Sequence, residues 1–142
     1  MDTTELDGFS KTIYDLLVAA YPQWIDYIDN DESAPTAFVL TIPSPQGGAL
    51  ALELFTYNEE ITLAYDCFHT HLGWSDVPDE EAFAKAQEMI EDIINDLVLI
   101  VSYHKDGRVF QSKVIEIDEL EHYRESEHDL TVVGWHKTYV SR

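Results

Sequence analysis

Two apolar stripes at helical spacing, each followed by short runs with strand character, constrain what this chain folds into. Between Thr4 and Ala20 the residues Phe9, Ile13, Leu16, Leu17 and Ala20 recur at that spacing, with Thr3 or Thr4 as N-cap and Pro22 as a stop. The second stripe, Phe83, Ala86, Ile90, Ile93, Ile94 and Leu97, predicts a helix from about Pro78 to Asn95, capped by Asp76 or Asp79. Glu81, Glu88, Glu91 and Asp92 are expected opposite that stripe, as an acidic ridge.

The runs between the stripes read as strands. Ala37 to Ile42, Ala49 to Tyr57 and Ile61 to His69 are separated by the Pro43 to Gly48 turn and by Asn58-Glu59-Glu60, links short enough to favour an antiparallel meander. In the middle run Leu50, Leu52 and Leu54 share one face by the two-residue period. After the second helix, Leu97 to His104 and Val109 to Ile117 flank Asp106-Gly107, a pair suited to the positive φ angles of a tight hairpin turn. A charged linker from Asp118 to Asp129 leads to a last strand, Leu130 to Tyr139, and Asp26 to Pro35 reads as an acidic loop. The expected fold is a single α+β domain over residues 1–142, with about six strands in a mostly antiparallel sheet and two main helices in the order α-βββ-α-βββ. No tandem repeat or low-complexity segment interrupts it.

Charge then narrows the partners. Twenty-eight Asp and Glu against eight Lys and Arg give a formal charge of -20, yet 45% of residues are hydrophobic, so the chain can bury enough apolar surface to fold. Nucleic acid is excluded as a direct ligand, because phosphate contacts require cations and this surface repels a polyanion. A basic protein is the expected partner. The acids at the end of the second helix support recognition: Asp92 and Asp96 oppose the helix dipole, and Glu88 with Asp92 is a like-charge pair at i,i+4. A solvated face is the plainer reading of any single charge run.

Other chemistry is sparse. Gly47-Gly48 lies between strands rather than ahead of a helix, so no phosphate loop is present, and no nucleophile-elbow setting surrounds any serine. His69-Thr70-His71 has metal-ligand spacing on a strand, with Asp66, Asp76 or His104 as possible completing ligands, but a catalytic zinc needs three protein ligands and two are placed. The expectation is a protein without catalytic residues, metal or cofactor. Cys67, the single cysteine, excludes an internal disulfide and reads as a small buried hydrophobe within a strand. The acidic N-terminus and the absence of an apolar stretch of roughly 20 residues lead to the expectation of a cytoplasmic protein with no membrane contact.

The segment Glu60-Ile61-Thr62-Leu63 through Asp66, His69, His71 and Trp74, the acidic helix ending Ile90-Glu91-Asp92-Ile93-Ile94, then Val98 to His104, Asp106-Gly107 and Arg108, resembles small immunity proteins of bacterial polymorphic toxin and contact-dependent growth-inhibition systems. That resemblance implies a cytoplasmic immunity protein that binds and neutralises a cognate basic toxin domain, with a nuclease as the expected class, by covering its substrate-binding surface. The expected contact residues are Asp76, Glu80, Glu81, Glu88 and Asp92 as a charged rim, with Trp74 as an aromatic anchor. The competing readings are a metal-dependent enzyme using His69 and His71, a general nucleic-acid-mimic inhibitor, and a small-molecule binding module.

Overall fold

A computed structural model of the 142-residue chain describes residues 1–73 and 76–142; Trp74, the expected anchor, lies outside the described residues. Helix α1 spans Gly8–Ala20 and opens on Asp7, whose carboxylate accepts the Ser10 backbone N–H at 2.7 Å. The expected caps Thr3 and Thr4 lie outside the helix; Thr4 instead donates its backbone N–H and its hydroxyl to Asp2. The helix ends at Tyr21, and a 3-10 helix, Pro22–Tyr27, follows.

The expected acidic loop contains a short strand, β1 (Ile28–Asn30), because Ile28 is an apolar residue that buries itself by pairing opposite Leu40. From it a five-stranded meander runs through β2 (Phe38–Pro43), β3 (Ala51–Tyr57), β4 (Glu60–Tyr65) and β5 (Phe68–Leu72), every neighbour antiparallel. The expected third strand is two strands. Asp66 adopts φ 54° and, with Cys67, turns the chain so that Tyr65 faces Phe68. Cys67 is therefore exposed in a hairpin turn, not buried in a strand.

Helix α2, Asp79–Ile94, follows Pro78 without a side-chain cap; Asp79 is its first residue rather than its cap, and Asp79, Glu80 and Glu81 fill the first turn where the helix dipole favours anions. Ala82, Phe83, Ala86, Ile90 and Ile93 are buried, as the stripe predicts. They join Ile13 and Leu17 of α1 and the inward row Phe38, Leu40, Leu52, Leu54, Ile61 and Leu63 of the meander in one core. Each fully buried Leu or Ile in that layer contributes roughly 1.5–3 kcal/mol over leaving it exposed. The Ser10 and Thr56 hydroxyls, 2.6 Å apart, satisfy each other inside it.

A second, four-stranded sheet completes the fold, so the nine strands among the described residues divide between two sheets rather than forming one of about six. Its order is β7-β6-β8-β9, from β6 (Val98–Lys105), β7 (Arg108–Glu116), β8 (Leu130–Val133) and β9 (Thr138–Ser141). The Asp106-Gly107 turn forms as expected, with φ 53° and 76°. The expected last strand breaks between Val133 and Thr138, and the expected charged linker holds α3, Leu120–Arg124. Leu120 and Tyr123, three residues apart and both buried, anchor that short helix against Leu99, Val101, Ile115, Leu130, Val132 and Val140 in a second core. Ile100, Val133 and Trp135 belong to the first core instead, so alternate residues of one sheet serve both. The class is α+β. No helix among the described residues is long and apolar enough to cross a membrane.

Candidate protein-binding interface

The inward set on α2 fixes where its acids point. Glu80, Glu81 and Glu88 are exposed, Asp92 is half-buried, and Asp76 is exposed ahead of the helix. Lys85 interrupts the ridge, its Nζ 3.8 Å from Glu81 Oε1 in an exposed i,i+4 pair worth no more than about 0.5 kcal/mol. Glu91 does not belong to the ridge. It accepts the Tyr21 hydroxyl at 2.9 Å, and Tyr21 stacks on Trp24 with ring centroids 4.2 Å apart. Burial, then the Glu91 hydrogen bond, pushes the Tyr21 hydroxyl well above the usual phenol range.

Asp96 also has an internal task. It lies past the helix end with φ 54°, a conformation that Asp tolerates better than most residues. Its carboxylate accepts the Trp135 backbone N–H at 2.6 Å and the Tyr139 hydroxyl at 2.9 Å, and lies 3.4 Å from His136 Nδ1. The opposite side of the same loop is held by the first sheet. Tyr65 and Gln46 donate to the Gly134 carbonyl at 2.7 and 2.6 Å, and Ser44 donates to the Trp135 carbonyl at 2.6 Å. A Cβ on Gly134 would stand 2.7 Å from the Tyr139 ring and 3.0 Å from Asp96 Oδ1, so the close approach requires glycine. Asp96 is thus a seam between the sheets, and its place against the dipole is explained by those bonds.

The turn at Asp96 also sends Leu97 outward. Expected on the apolar stripe, Leu97 is 52% exposed, and Ile117 beside it is 36% exposed. The Ile117 N–H donates to the Leu97 carbonyl at 3.0 Å, which fixes the two residues together. With Val98 they are the apolar lining of a shallow depression of about 320 Å³ that Asp92, Glu116 and Asp118 also line. Exposed apolar side chains beside carboxylates make this depression a candidate protein-binding surface. Asp92 is the one expected contact residue that the depression includes; Asp76, Glu80, Glu81 and Glu88 do not line it. Sequence reasoning missed Leu97 and Ile117 as exposed residues; their one signal was an apolar residue directly beside an acid, Leu97 after Asp96 and Ile117 before Asp118.

The histidine pair has a different setting. The His69 and His71 rings lie 5.3 Å apart, both exposed, and His71 Nδ1 is 2.6 Å from Glu60 Oε1 and 2.9 Å from Thr62 Oγ1. Among the described residues no group of three His, Cys, Asp or Glu side chains is placed to hold a metal ion, so Asp66, Asp76 and His104 do not complete the set. Several cations are also occupied. Lys113 stands over the Tyr123 ring at 5.0 Å, Lys137 over Tyr139 at 4.7 Å, and Arg142 donates to the Tyr123, Arg124 and Ser126 carbonyls. Searches against family models, curated proteins and solved structures return no match.

Proposed function

We propose that this chain is a non-catalytic inhibitor that docks a basic protein domain through the C-terminal end of α2. The observation that carries the reading is that the exposed Leu97 and Ile117 share one depression with the carboxylates of Asp92, Glu116 and Asp118. Exposed apolar side chains gain from being covered, and the carboxylates beside them select a cationic cover by steering it and by penalising an anionic one. Glu88 and Glu81 extend the same charge along the helix.

In its specific form, the reading is an immunity protein whose partner is a toxin domain, with a nuclease fitting the charge. A nuclease must be basic to hold a polyanion, so an acidic protein is drawn to that surface and covers it. The general nucleic-acid mimic shares this electrostatics and differs in binding several unrelated basic proteins. The test is to isolate the protein with its partner from its native cells and to measure association at low and high salt. The expected partner is basic and its association rate falls steeply with salt, because exposed charges act only within a Debye length of about 8 Å at physiological ionic strength. A neutral or acidic partner, or an association rate indifferent to salt, would overturn the reading.

A further inference from the structure

At the other end of the second sheet a pocket of about 340 Å³ lies between the β6–β7 hairpin and the loop that enters β8. Its making begins with a bulge. Tyr103 pairs with Gln111 and His104 with Val109, which leaves Phe110 with no partner across the ladder. The extra residue re-aims its side chain, and Phe110 is 64% exposed, the most exposed of the chain's large apolar residues among those described. A strand that only needed a blunted edge would gain more from a polar residue there.

The ring does not stand alone. Phe110 lies 6.2 Å from Tyr103, and the His128 ring meets Tyr103 edge-on at 6.1 Å, so three rings form the wall. Glu127 and Asp129 supply two carboxylates against the one ammonium of Lys105. The loop is pinned at its end, since the His104 N–H donates to the Asp129 carbonyl at 2.9 Å. Tyr103 already draws a cation: Lys113, outside the pocket wall, holds its Nζ 5.9 Å from that ring.

We propose that this pocket seats an arginine side chain presented by a protein partner, with the guanidinium against Phe110 and Tyr103 and its N–H groups directed at Glu127 and Asp129. Aromatic faces attract cations, and a planar guanidinium both stacks on a ring and forks toward carboxylates, which a lysine ammonium does not. Anions are opposed by the two carboxylates and by the charge of -20. The inference takes the source of the arginine from the basic-partner reading above, but uses residues remote in sequence from the α2 ridge.

The test titrates the full chain with acetyl-Gly-Arg-Gly-amide and with its lysine and citrulline counterparts, following the Phe110, Tyr103 and His128 side chains by NMR. Saturable shifts confined to those residues are expected, strongest for arginine and absent for neutral citrulline. Phe110→Ala, at an exposed position, should weaken the arginine peptide about three- to fivefold, and Glu127→Gln with Asp129→Asn should remove its binding, with melting unchanged in both. Shifts spread evenly over the acidic surface, or affinity unaltered in both variants, would overturn the pocket. Glu88→Lys with Asp92→Lys should leave peptide binding intact; a parallel loss would mean that the peptide reads overall charge, which also overturns it. Peptide binding by a chain whose native partner is not basic would uphold the pocket and defeat the function proposed above.

Discussion

Asp92 and Asp96 stand one helical turn apart, carry the same carboxylate and have opposite tasks. Asp92 lines an open depression, while Asp96, its side chain 13% exposed, ties the end of α2 to the loop between β8 and β9. Glu88 and Glu91 repeat the division one turn earlier: the first is exposed, the second holds the Tyr21 hydroxyl. Acidity that looks uniform in the sequence is therefore two populations, an inner row that holds the fold and an outer row free to meet a partner. Net charge reports their sum and hides the split.

The largest expected effect lies on the inner row. Asp96→Ala removes the acceptor for the Trp135 N–H and the Tyr139 hydroxyl and places alanine at a positive φ, so it should cost about 3 kcal/mol. Asp96→Asn keeps one acceptor oxygen and a residue tolerant of that backbone, and should cost less than half as much. Urea denaturation measures both. A loss below about 1 kcal/mol for alanine would erase the distinction between the two rows.

The outer row should behave in the reverse sense. Glu81→Lys, Glu88→Lys and Asp92→Lys together should leave the melting temperature nearly unchanged, since these side chains lie off the buried stripe, and the first-turn dipole contact and weak Lys85 pair lost at Glu81 are offset by a cation at position 92 near the C-terminal end of α2. Binding of the basic partner should fall by about 2 kcal/mol as attraction becomes repulsion. Unchanged affinity, measured by calorimetry, would make the ridge a solvated face and confine any docking to the exposed Leu97 and Ile117.

How far the split was legible follows from what each row depends on. The α2 stripe and the Asp106-Gly107 turn were readable because period and positive φ are local properties of the chain. The inner acids were not, because Glu91 finds Tyr21 seventy residues away and Asp96 finds Tyr139 forty-three residues away. Strand breaks at Asp66 and after Val133 were missed for a related reason: alternating apolar patterns continue through both turns, and only the fold decides where the chain reverses. Leu97 fits the helical period, but α2 ends at Ile94 and the left-handed Asp96 redirects the chain just before Leu97. The depression it lines was thus invisible to a periodicity argument.

A smaller effect sharpens the inner row through pH. Tyr21 and Tyr139 are both raised above the ordinary phenol value, in each case by burial first and by the hydrogen bond to Glu91 or Asp96 next. An unfolded tyrosine ionises near pH 10, so above that pH the unfolded chain binds fewer protons than the folded one. Their contribution is complete below about pH 10 and is lost as pH rises through the higher folded values. Tyr21→Phe should cost about 1 kcal/mol at neutral pH and flatten the fall in stability above about pH 10. A fall equally steep in the variant would detach Tyr21 from that linkage.

The finest comparison exchanges charge for neutrality without changing shape. Glu91→Gln retains an oxygen for the Tyr21 hydroxyl but weakens a charge-assisted bond, and should lose about 0.5 kcal/mol. Glu88→Gln removes half of a like-charge i,i+4 pair with Asp92 and should gain about 0.3 kcal/mol. The two substitutions are chemically identical and three residues apart, so differences in helix propensity cancel between them and the opposite signs come from the rows alone. Salt separates them further: screening at 1 M should abolish the gain at the exposed Glu88 while leaving most of the loss at Glu91, whose bond to Tyr21 is partly shielded from solvent. Equal signs, or equal sensitivity to salt, would mean that Glu91 faces water as freely as Glu88.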